Sequence, residues 1–194
     1  LAATVFARYD TGVGGFQMVD LAASWIPVEG LRAQYLLGVD GLSAPLVLLT
    51  GLLGFCAILA SWNIGMRVRE YFAWLLLLQT AVMGVFVSLD LLLFFLFWEL
   101  ELVPMYMLIS VWGSGRKEYS AMKFLIFTIF GSASMLIALV AVFLSGDPGT
   151  LDLTQLSSPG TMLTAASVAL PLGALFWLFF VAFAIKLPTW PVHT

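Results

Sequence analysis

Polar and apolar positions in this chain separate into long blocks. Four uninterrupted apolar runs occupy about 42–62, 70–89, 91–112 and 120–144, and a fifth, about 163–187, carries Pro171 and Gly173 near its start. Crossing a hydrocarbon core of about 30 Å takes about 20 helical residues, so each run is long enough to span a membrane. The sequence predicts an all-α, polytopic transmembrane helix bundle with about five full spans. Residues 1–8, LAATVFAR, read as the end of another span. Residues 9–39 are mixed, with Gly12, Gly14, Gly15, Pro27 and Gly30. They read as a loop with short strands around Phe16–Val19 and Leu31–Leu37. Asp40-Gly41-Leu42-Ser43 then opens a helix, with Asp40 or Ser43 as its cap. Ser145–Met162 holds Gly146, Asp147, Pro148, Asp152 and Pro159 and reads as a polar loop.

Loop cations orient the bundle. Arg67 and Arg69 follow the first full span, and Arg116 and Lys117 follow the third, so two crossings place them on one side. The connection between them carries Asp90, and 145–162 carries Asp147 and Asp152 without Lys or Arg. Cytoplasmic loops are enriched in Lys and Arg, which predicts 63–69 and 113–119 inside, with 9–39 and 145–162 outside. Residues 188–194 then return to the cytoplasmic side, and Arg8 and Arg32 are weak exceptions. Trp25, Trp62 and Trp112 fall near the expected interfaces, as belt aromatics do.

Composition supports a membrane reading. Of 194 residues, 62% are hydrophobic and 10% charged, whereas a soluble domain is usually about a quarter charged. The whole chain is expected to form a single transmembrane domain surrounded by lipid, with no nucleic-acid role. The lone Cys56 reads as a small core residue. One histidine and one cysteine do not make a metal, haem or iron–sulfur ligand set, so no cofactor is expected in this chain. The chain opens on Leu1 and stops at Thr194 just past a Lys-x-Pro break, and both ends read as cut.

Candidate chemistry then comes from the few charges inside apolar runs. Glu99 lies eight residues past Leu91, about 12 Å deep at 1.5 Å per residue, near the midplane. A charge there costs at least about 2.5 kcal/mol on insertion scales, and such residues are kept mainly for function. A hydrogen-bonded structural acid is the alternative. Glu101 lies about 200° around the helix from Glu99, so the two are not a paired dyad; Glu101 is expected to meet another helix or subunit. Pro104 removes the backbone donor to Leu100 and bends the span beside Glu99. Lys123 and Lys186 read either as snorkelling lysines or as pathway groups. Pro188 and Pro191 after Lys186 suggest a broken helix at membrane depth, as in transporters. His193 is a candidate proton relay. The aromatic run Phe94–Trp98 and the small residues Thr128–Ser134 read as packing faces.

Several motifs carry a resemblance. They are Trp98-Glu99 with Pro104, Trp112-Gly113, Ser120-Ala-Met-Lys123, Leu37-Gly-Val-Asp40-Gly41, and Lys186-x-Pro188 with His193. Together they resemble the chain M (chain 4) family of antiporter-like membrane subunits of respiratory NADH–quinone oxidoreductase, complex I, which has a photosynthetic counterpart. The resemblance runs from the end of a second span to a seventh. It implies a fold of about fourteen helices in two inverted five-helix repeats, of which this stretch supplies most of the first. It further implies that Glu99 pairs with Lys186, that Lys123 follows them in a proton path, and that Trp98, Pro104, Pro188, His193 and Glu101 support it. Electron transfer, with NADH, flavin, iron–sulfur clusters and quinone, would belong to partner subunits, among them neighbouring antiporter-like subunits. A bacterial plasma membrane is the implied location, or a thylakoid membrane for the photosynthetic type. Multi-subunit cation/proton antiporters and membrane-bound hydrogenases share these positions. A structural membrane scaffold is the third reading.

Overall fold

A computed structural model describes residues 1–28, 31–145, 150–157, 170–187 and 189; the side chains of 21–28 and 31–32 fall outside that description. The elements run α1 (Ala2–Arg8), β1 (Gln17–Val28), β2 (Leu31–Val39), α2 (Ser43–Ala60), α3 (Val68–Val87), α4 (Leu91–Leu100), α5 (Leu102–Trp112), α6 (Lys117–Leu144), α7 (Leu153–Leu156) and α8 (Leu172–Lys186). Among the described residues four helical stretches are long and apolar enough to cross a membrane: α2, α3, the α4–α5 stretch Leu91–Trp112, and α6. The expected run 163–187 lies partly outside the described residues, and its described helix is the 15-residue α8.

The 9–39 segment is more ordered than a loop with short strands. β1 and β2 span 12 and 9 residues and pair antiparallel, Gln17 opposite Val39 and Leu21 opposite Leu36. Apolar anchoring and a second set of partners account for the extra length. Val39 packs with Ala44 and Val47 against Val5, Tyr9, Met83 and Phe86. The far edge of β2 is not left bare, because Leu89 N–H donates to the Leu36 carbonyl at 3.0 Å. The same short segment also bonds a second stretch, Leu153 N–H to Leu89 O at 2.8 Å and Leu91 N–H to Leu151 O at 2.9 Å. Residues 88–90 thus tie the hairpin and the 150–153 segment together at one end of the bundle. At the opposite end Trp112 Nε1 donates to the Met66 carbonyl at 2.8 Å, joining the two loops that carry the cations.

Capping follows local chemistry. Asp40 Oδ1 accepts from Ser43 N–H at 2.6 Å while Ser43 Oγ accepts from Asp40 N–H at 2.9 Å, a reciprocal closure before α2. Fully buried Asp90 caps α4 through Leu92 and Leu93 N–H, at 2.9 and 3.1 Å, and reaches Gln34 N–H at 3.2 Å. Cys56 is exposed on α2 rather than buried as expected. The reason is position: α2 lies at the edge of the bundle and buries only Ala44 and Val47.

α6 is the central helix. It buries Thr128, Gly131, Ser132, Met135, Ala138, Leu139 and Val142. Its small residues allow α8 to approach closely: Gly131 lies against Ile185 and Ala182, and Ser134 Oγ donates to the Leu178 carbonyl at 3.1 Å. These pairs run in opposite directions, so α6 and α8 are antiparallel. The expected span 91–112 divides at Glu101 into α4 and α5. Pro104 lacks the N–H that would bond Leu100, so the hydrogen-bond ladder fails at that turn. Gly84 of α3 admits the Phe97 ring, which a Cβ at that position would overlap.

Candidate ion-pair site where α4, α6 and α8 meet

The aromatic run of α4 turns into the bundle. Phe94, Phe95 and Trp98 pack with Phe179 against buried Met135, Leu139 and Ala182. Trp98 meets Phe183 of α8 edge-on, with ring centroids 5.4 Å apart. Residues three apart share a helix face. Three positions beyond Trp98 is Glu101, and three beyond Phe183 is Lys186. The aromatic contact therefore places Glu101 against Lys186, and these two form an ion pair. The equal spacing on both helices also means that α4 and α8 run parallel here.

The resemblance implies a Glu99–Lys186 pair, but the lysine's direct partner in the structure is Glu101. Glu99 lies about 100° around α4 from Trp98, whereas Glu101 is about 60° to the other side and nearer the α8 contact. Glu99 is half-buried, and its Oε1 is buried without a hydrogen-bond partner among the described residues. Its charge nevertheless attracts the Lys186 ammonium through space. Lys186 Nζ stands over the Trp98 ring, 4.1 Å from its centre. The lysine thus has three neighbours: a carboxylate in contact, an aromatic face beneath it and a second carboxylate at longer range. Glu101 is buried, as is Pro104 in the following turn. The sequence points to Glu101 as a supporting residue that meets another helix or subunit, without saying which; the structure brings it to Lys186 of α8.

Lys186 is the last residue of α8, and Leu187 leaves in an extended conformation with φ −87° and ψ 95°. A residue preceding proline is driven out of the helical region, so Pro188 fixes this exit. Thr189 Oγ1 turns back to the Ala184 carbonyl at 3.0 Å. The placements of Pro188 itself and of His193 lie outside the described residues. Lys123 is half-buried on α6 and outside both ion pairs of the described residues, Arg67–Glu70 and Glu101–Lys186. It lies eight residues from Gly131, about 12 Å along the axis. Because α6 and α8 are antiparallel, that displacement is toward the end where α8 exits.

Membrane-length helices closing over a half-buried lysine, two carboxylates and a proline-broken helix define a polytopic membrane protein with an ionisable cluster inside its bundle. The chain belongs to the NADH:quinone oxidoreductase/Mrp antiporter transmembrane family, which matches residues 88–194. It is 46% identical over 187 residues to NAD(P)H-quinone oxidoreductase chain 4 1 of Synechococcus elongatus, covering 96% of this chain and 33% of that protein. It is 43% identical over 195 residues to chain 4 2 of Thermosynechococcus vestitus, covering 100% of this chain and 35% of that protein. The chain thus spans about a third of the length of these relatives. Among solved structures it resembles a chain of respiratory complex I from Thermus thermophilus with bound NADH, with TM-score 0.79, 29% identity and coverage of 99% of this chain and 38% of that one. It also resembles a chain of the Mrp complex from Dietzia sp., with TM-score 0.74, 26% identity and coverage of 99% and 34%.

Proposed function

We propose that this chain is part of a proton-translocating, antiporter-like membrane subunit of an NAD(P)H–quinone oxidoreductase. The observation that carries the reading is the Lys186–Glu101 ion pair over Trp98, inside a bundle whose relatives are named as chain 4 of that oxidoreductase. A buried charge is disfavoured by desolvation and favoured by an opposite charge nearby. Separating Lys186 from its carboxylates therefore loosens its hold on a proton, and pairing tightens it. In this reading partner subunits hold NADH, flavin, iron–sulfur clusters and quinone and carry out electron transfer, while this chain carries no redox centre. Their turnover opens and closes the pair. Lys123, toward the exit of α8, is the next group along the path. Neighbouring antiporter-like subunits are its partners, and the membrane is a bacterial plasma or thylakoid membrane. Residues 9–39 and 145–162 face outward.

The test uses the full-length subunit in its assembled complex, in sealed vesicles, carrying Lys186→Met. Donor-driven quinone reduction is compared with proton uptake. Loss of proton uptake, alone or together with coupled quinone reduction, supports the reading; normal rates of both defeat it. The likeness to the Mrp complex favours a second reading, cation/proton antiport without electron transfer. Uptake that requires no electron donor would select it.

A further inference from the structure

We propose that Glu99 and Glu101 are two alternative seats for the Lys186 ammonium, with the Trp98 ring as the floor between them, so that Glu101 is itself a proton-carrying residue of the path. This rests on the proposed function and deepens it. Three observations carry it. Lys186 is already seated on Glu101 and over Trp98. On the helix Trp98 lies between the two carboxylates, about 100° from one and about 60° from the other. Glu99 Oε1 is buried with no hydrogen-bond partner among the described residues, which is costly for a carboxylate oxygen.

The lysine side chain is suited to such an exchange. It is a point charge with three donors on a flexible four-carbon stem, so it can change partners without a change of backbone. An aromatic face attracts a cation without binding it in one direction, which gives a path between the seats. The surface that α6 presents here is uncharged, with Gly131, Met135 and Leu139 packed against α4 or α8. It offers the ammonium no competing acid. When the ammonium moves from Glu101 to Glu99, Glu101 is left as an uncompensated buried charge. One proton taken from water bonds to that carboxylate and relieves the charge. When the ammonium returns, the proton leaves to water on the other side. One proton enters and one leaves per exchange, with no oxidant or reductant.

The experiment builds Glu99→Gln, Glu101→Gln, the double variant and Glu101→Asp into the full-length subunit of the assembled complex. The ratio of donor-driven proton uptake to assembled complex is measured in sealed vesicles. If both seats are needed for each exchange, either single substitution lowers the ratio about tenfold and the double lowers it by no more than about twofold further, because residues acting as a unit are non-additive. Glu101→Asp, which keeps a carboxylate, recovers the ratio to within about threefold of the parent, which a merely structural role would not require. Three results would overturn the proposal: Glu101→Gln within about twofold of the parent, a double variant equal to the product of the singles, or Glu101→Asp no better than Glu101→Gln. Where Glu101→Gln does not assemble, Glu101→Met, which also removes the carboxylate at similar size, takes its place in the same cycle with the same two readings. If Lys186→Met pumps normally, the proposed function itself fails. If Lys186→Met is inactive while Glu101→Gln is normal, only the two-seat exchange fails.

Discussion

Lys186 Nζ stands 4.1 Å above the centre of the Trp98 ring, so an aromatic face holds the charge together with a carboxylate. A desolvated cation–π contact is worth about 2 kcal/mol, with Trp better than Phe. Trp98→Leu is therefore expected to lower proton uptake per quinone about tenfold or more, and Trp98→Phe by less than about threefold. Vesicle uptake assays on both variants decide the matter. Equal losses would mean that Trp98 contributes only bulk.

Pro104 leaves the Leu100 carbonyl without its helical donor, and α4 ends there. Pro104→Ala restores that donor and favours one continuous helix from Leu91 to Trp112. The span beyond Glu101 would then straighten, moving α5 and the turn that buries Glu101 and Pro104. The expected result is impaired pumping with stability changed by no more than about 1 kcal/mol, because the regained backbone bond offsets the lost ring packing. Thermal inactivation and proton uptake, measured on one preparation, test both halves.

Burial raises the Asp90 pKa above its ordinary value, against the opposing pull of its Leu93, Gln34 and Leu92 N–H bonds, and Asp152 nearby raises it further. The folded chain therefore binds this proton more tightly than the unfolded chain. Stability contributed by this group is present below the ordinary Asp value and is lost as pH rises through the raised one. Acidification from neutral into that interval should stabilise the parent relative to Asp90→Asn, which cannot titrate there. Denaturation midpoints in detergent across that interval provide the measurement, and a difference independent of pH would count against it. Asp90→Ala loses the α4 cap as well, at about 1 kcal/mol.

Gly84 receives the Phe97 ring at the α3–α4 contact. Gly84→Val should destabilise by about 1–3 kcal/mol through overpacking. Adding Phe97→Ala should recover part of that loss, since the two side chains compete for one space. Thermal stability of the two singles and the double in detergent gives the coupling. Strict additivity would show that the collision is relieved elsewhere.

The membrane class was legible because lipid imposes a simple demand: long apolar runs with the backbone satisfied inside the helix. The division at Glu101 was foreshadowed by Pro104, whose missing N–H acts locally. The partner of Lys186 was not foreshadowed, because it depends on how α4 and α8 face each other across distant parts of the chain. Glu99 drew attention by its depth, but the Trp98–Phe183 contact selects the residue one face over. The length of the hairpin was hidden for a related reason. Its order comes from pairing with Leu89 and packing on Met83 and Phe86, none of which lies within residues 9–39. Cys56 was misplaced because an apolar span looks the same from either side until its neighbours are known.

The segment 88–90 is shared by two backbone partners at once, β2 and residues 151–153. That sharing makes the register of three separate stretches of sequence a single quantity. Because the bonds are main chain to main chain, they tolerate changes of side chain, whereas a one-residue insertion or deletion within residues 31–39, 88–90 or 150–153 would displace the pairing of the other two.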